Sequence, residues 1–97
     1  MPYKDRAAQR AYQRERGQAV RRALDTLRAN PCTDCGGTFH PACMEFDHRD
    51  GKTKSYNVAG FGTRSLAAVM QEVAKCDLVC ANCHRLRGWK RRNAGVA

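Results

Sequence analysis

Two Cys-x-x-Cys pairs, Cys32/Cys35 and Cys80/Cys83, constrain the fold of this chain more than any other feature. A two-residue spacing lets both sulfurs of a turn face one ion while backbone amides support them, and two such turns complete a tetrahedral site of four thiolates. Residues 36–79 lie between the pairs, so a shared ion would bring distant segments together. At 97 residues the chain has little room for a core, and domains this small usually need a staple. Bound metal is one, because its binding free energy becomes folding free energy. Disulfides or an isolated redox pair are the competing readings. A matched set of pairs in a basic chain with no visible signal peptide favours structural Zn2+ and an intracellular location. Cys43 and Cys76 are left over and read as buried or partly buried small apolar residues.

Charge is the next constraint. The net charge is +9, and it is not spread evenly. Lys4, Arg6, Arg10, Arg14, Arg16, Arg21, Arg22 and Arg28 face only Asp5, Glu15 and Asp25 in the first segment. Arg85, Arg87, Lys90, Arg91 and Arg92 stand without an acid at the other end, and the middle is nearly neutral. Such a distribution points to a polyanionic partner. No apolar run approaches the length of a membrane span.

The chain divides into a basic amino-terminal helix (1–29), a metal-stapled domain (30–93) and a short tail (94–97). From Asp5 to Ala29 the composition is helical. Apolar Tyr12, Ala19, Val20, Ala23, Leu24 and Leu27 predict that the second half packs while the first projects. Met44-Glu45-Phe46-Asp47-His48 alternates like a strand. Asp50-Gly51 is a hairpin signal, and Lys54–Val58 is the expected return strand. Ser65 is the expected cap of a helix from Leu66 to Lys75 that turns Leu66, Val69, Met70 and Val73 to one face. A last helix runs on from Cys80-Ala81-Asn82-Cys83-His84 to about Asn93. Tyr3, Tyr12 and Trp89 are read as packing residues rather than stacking platforms, and His40 as structural or exposed.

Asp47-His48 between the two cysteine pairs and His84 directly after the second carry the chemistry. Together, CTDCGG, MEFDHRDGK and KCDLVCANCHR resemble the HNH endonuclease family, especially its small bacteriophage-type members, over about residues 30–90. The resemblance implies an α+β fold: a small zinc-stapled ββα-metal domain, here with a basic amino-terminal helix. It implies His48 as general base, and Asp47 and His84 as ligands of a catalytic Mg2+, Mn2+ or Ni2+. Cys32, Cys35, Cys80 and Cys83 would hold Zn2+. Phosphodiester hydrolysis asks for these groups in any case: a base for water, and a cation to neutralise charge developing on the phosphate. Because Asp47 and His48 are adjacent on a strand, a twist or bulge is expected to bring their side chains to one site. Arg85 is read either as a phosphate contact or as plain surface charge. Lys75 occupies the place of the family's middle Asn, leaving Asn57 or Asn82 to orient the His48 loop. Gly88 offers no further ligand four residues after His84.

The function so implied is a metal-dependent DNA endonuclease or nickase gripping DNA through its basic ends. A phage packaging partner such as a terminase, and host cytoplasm as the location if phage-encoded, follow from the resemblance alone. A non-catalytic, zinc-stapled DNA-binding accessory is the alternative; a redox-sensing thiol protein is a third reading.

Overall fold

The computed structural model describes residues 5–94. Tyr3, Lys4 and the last three residues of the tail lie outside them. Helix α1 (Arg6–Arg28) begins where Asp5 Oδ1 accepts from the Ala7 amide at 2.9 Å, an N-cap that satisfies one of the free amides of the first turn. It ends where Asn30 Nδ2 donates to the Leu27 carbonyl at 2.9 Å, just before Pro31. Within α1 only Val20 and Leu24 are buried, one turn apart in the second half, as the apolar pattern predicts. Tyr12 stays exposed, with the Arg16 guanidinium over its ring. Trp89 is also exposed, so neither aromatic enters the core.

Strand β1 (Met44–His48) is the predicted one, but its partner is not. It pairs antiparallel with β2 (Cys76–Cys80), with Met44 opposite Cys80 and His48 opposite Cys76. The hairpin return at Lys54–Val58 does not form. Asp50 instead caps a 3-10 turn over Gly51–Thr53: its Oδ1 accepts from the Lys52 amide at 2.9 Å and its carbonyl from the Thr53 amide at 3.1 Å. Asp-Gly therefore turns the chain out of the sheet. Leu78 and Val79 supply what Lys54, Ser55 and Asn57 lack, apolar side chains for a pleated surface; Val79 is fully buried.

Helix α2 (Leu66–Val73) lies in the connection between the strands, with Ser65 Oγ accepting from the Ala68 amide at 3.2 Å. It stops short of Lys75, and Leu66 is exposed at its first turn. Val69 and Glu72 are its buried residues. Strand β2 runs directly into helix α3 (Ala81–Arg92). The molecule is thus α+β, with a two-stranded antiparallel sheet. One core cluster joins Val20 and Leu24 of α1 to Val58, Phe61 and Val69. A second is built from Cys32, Met44, Val79 and Cys80. No helix among the described residues is long and apolar enough to cross a membrane.

Candidate metal centre and active site

The cysteine pairs converge. The sulfurs of Cys32, Cys35, Cys80 and Cys83 all lie within 4.8 Å of one another. Four thiolates about 2.3 Å from one Zn2+ would stand about 3.8 Å apart in a tetrahedron, so the cluster could hold such an ion after small adjustments. Local backbone makes the first turn: Gly36 sits at φ +73°, where a side chain would be strained. The Cys32 amide donates to the Gly37 carbonyl at 2.8 Å. The Thr33 amide donates to the Leu78 carbonyl at 2.8 Å and ties this turn to β2. Cys80 caps α3, its sulfur accepting from the Cys83 amide at 3.4 Å.

The acidities of the cluster fit a cation. Burial pushes the Cys32 thiol up, but the amides of Cys35, Cys80 and Asp34 outweigh it and bring Cys32 down to about 6. The Cys80 sulfur, then burial and the other two sulfurs, push Cys83 up to about 12. Four thiolates repel one another, and a divalent ion is the charge that lets all of them ionise. Of the leftover cysteines, Cys76 is partly buried as expected, and burial raises it to about 11. Cys43 is exposed, contrary to expectation, because it closes a surface 3-10 turn, Pro41–Cys43. His40 caps that turn, its Nδ1 accepting from the Ala42 amide at 3.0 Å.

Asp47 and His48 meet by another route than a bulge. The β1–β2 register is continuous through both, so their side chains leave opposite faces: the Asp47 carboxylate turns to α3 and the His48 ring to α2. Both nevertheless line a cavity of ≈ 210 Å³ at the strand end, together with Phe46, Asn57, His84 and Arg91. A larger groove of ≈ 620 Å³ shares Phe46, Asn57 and His84 with it and continues toward Arg28.

Each of the two histidines that line the cavity has one ring nitrogen held by a glutamate that motif reading overlooks. His48 Nε2 lies 2.7 Å from Glu72 Oε2, and both side chains are buried. Lys75 and, further, the Ser55 amide and His48 hold Glu72 down to about 2 against its burial. An ionised Glu72 accepts from Nε2–H, which places the lone pair of the neutral ring on Nδ1. Among the described residues Nδ1 has no hydrogen-bond partner, nor is it a buried, unsatisfied atom. His84 follows the same pattern: Nδ1 hydrogen-bonds to Glu45, and Nε2 lies 3.4 Å from Asp47 Oδ1. Glu45 and Asp47, two apart on β1, share the face toward α3.

Lys75, in the place of the expected Asn, fastens the loop after β1. Its Nζ donates to the Thr53 carbonyl at 2.8 Å, to Ser55 Oγ at 3.2 Å and to Glu72 at 2.9 Å. Asn57 lines both cavities. Asn82 and Arg85 are exposed on α3 and line neither. Arg87 bridges the two centres, donating to Asp34 inside the first cysteine turn through two 2.6 Å bonds and to Asp47 at 3.0 Å. Burial opposes ionisation of Asp47, but the bonds from Arg91 and Arg87 hold it down to about 2. Compared with known protein families, curated proteins and solved structures, the chain matches none.

Proposed function

We propose that the chain is a metal-dependent DNA endonuclease or nickase of the HNH type. The observation that carries this reading is the pair of glutamate-held histidines, His48–Glu72 and His84–Glu45, with Asp47 around one cavity. Glu72 leaves the Nδ1 lone pair of His48 to take a proton from water, whose oxygen then attacks phosphorus as the 3′ oxygen leaves and takes up a proton from solvent. The products would be 5′-phosphate and 3′-hydroxyl ends. Asp47 Oδ1 and His84 Nε2 would hold the ion. Those two atoms lie 3.4 Å apart, close enough for both to reach one ion. Glu45 on the far nitrogen of His84 is the usual support for a ligating imidazole. When bound, Mg2+, Mn2+ or Ni2+ supplies charge neutralisation at the phosphate. The basic residues of α1 and α3 would position the backbone without reading sequence.

The test is supercoiled plasmid incubated with each metal, with and without EDTA, beside His48→Ala. Metal-dependent nicking lost in the variant is the expected result. Equal, metal-independent traces from both proteins would end the enzyme reading. One observation favours the rival, a zinc-stapled DNA-binding module: Asp47 already accepts from two guanidinium groups. That module would bind plasmid with the same salt dependence and never nick it.

A further inference from the structure

Arg91 and Arg87 both bond to Asp47, yet they are held very differently. Arg87 is shared among Asp34, Asp47 and Asp77, and its side chain is only 20% exposed. It is part of the frame. The Arg91 side chain is 51% exposed and, among the described residues, bonds only to Asp47 and to the His48 carbonyl at 3.2 Å. Its fork lies on both carboxylate oxygens, Nη1 on Oδ1 at 2.8 Å and Nη2 on Oδ2 at 2.7 Å. Oδ1 is the same atom that lies 3.4 Å from His84 Nε2.

A divalent ion between Oδ1 and Nε2 would therefore contend with Arg91 twice, once for the lone pairs of Oδ1 and once through repulsion between cations a few ångströms apart. We infer that Arg91 is a displaceable internal cation: it neutralises Asp47 until a divalent ion takes the carboxylate. Arg91 lines that cavity, so the freed guanidinium would have a planar fork to offer a phosphate oxygen pair. Arg91 thus sets the affinity of the ion site and trades a carboxylate for substrate. The inference rests on the assignment of Asp47 and His84 as ion ligands in the proposed function.

Mn2+ alone is the probe, titrated into zinc-loaded full-length protein by calorimetry and by loss of the free-ion paramagnetic resonance signal. Arg91→Ala should bind Mn2+ at least about tenfold more tightly than wild type, the size expected when one charged hydrogen-bonding competitor is removed. Arg91→Lys, which keeps charge but not the fork, should fall between. Adding His84→Ala or Asp47→Asn to Arg91→Ala should abolish the tight binding. Equal or weaker binding by Arg91→Ala overturns the inference, as does tight binding that survives both added substitutions. Plasmid nicking by wild type is measured in parallel. Nicking with unchanged Mn2+ affinity in Arg91→Ala sinks the role of Arg91 alone. Tighter binding in that variant without any nicking by wild type sinks the nuclease and leaves the competition standing.

Discussion

At the scale of single residues, the proposed chemistry depends on two carboxylates, buried Glu72 and exposed Glu45, each held against one nitrogen of an imidazole ring. Replacing Glu72 by Ala should free the His48 ring and lower plasmid nicking about a hundredfold, within the range attributed to positioned general bases. Glu72→Gln, which can still accept one hydrogen bond, should retain more activity. The comparison is made on nicking rates across pH, where loss of the carboxylate changes the profile as well as the maximum. Acid stability follows from the same groups. Glu72 is depressed from 4.5 to about 2 and Asp47 from 3.8 to about 2. A depressed acid stabilises the fold above its unfolded value and loses that contribution as pH falls through the folded one. These two carboxylates should therefore contribute fully above about pH 4.5 and lose that contribution toward pH 2, as urea midpoints at fixed pH will read. Motifs made Asp47, His48 and His84 legible. Glu45 had a signal, its two-residue spacing from Asp47 on a strand, and Glu72 had one, an acid on the apolar face of a short helix. Neither signal names a partner, because the partner lies on another element.

Among elements, the informative case is the strand that did not form. Asp50-Gly51 permits a two-residue hairpin, but an Asp side chain equally caps a 3-10 turn, and local sequence does not choose between them. Cys76–Cys80 wins the place beside β1 because Val79 and Cys80 fill the core, and it brings Cys80 of the second cysteine pair and the start of α3 with it. Val79→Ala, which empties a fully buried position in β2, should cost about 2 kcal/mol and lower the urea midpoint without changing zinc content. Helix α1 makes the opposite prediction. Its first half buries no residue, so deleting residues 1–13 should leave the melting temperature nearly unchanged. The same deletion removes Lys4, Arg6 and Arg10 against Asp5. It should flatten the salt dependence of plasmid binding, measured between about 50 and about 200 mM salt.

Across the whole molecule, the cysteine cluster and the candidate active site share parts. Cys80 and Cys83 set the start of α3, His84 follows at once, and Arg87 ties Asp34 of the first cysteine turn to Asp47 of the cavity. Freshly purified reduced protein should carry about one equivalent of zinc. Removing it with a chelator should abolish cooperative unfolding and release the α3 end of the site along with the cluster; metal analysis and circular dichroism check both. By itself the sequence determined the cysteine pairs, the helices at both ends and their charge, and the strand bearing Asp47-His48. All of these are read from residues close together in the chain, where spacing and periodicity speak directly. Tertiary structure alone decided the partner of β1, the two glutamates behind the histidines, the role of Lys75 and the hold of Arg91 on Asp47. Apart from the Lys75–Glu72 bond, these are pairings across 20 or more residues of chain, and they are settled by which surfaces bury each other, a quantity no local pattern contains.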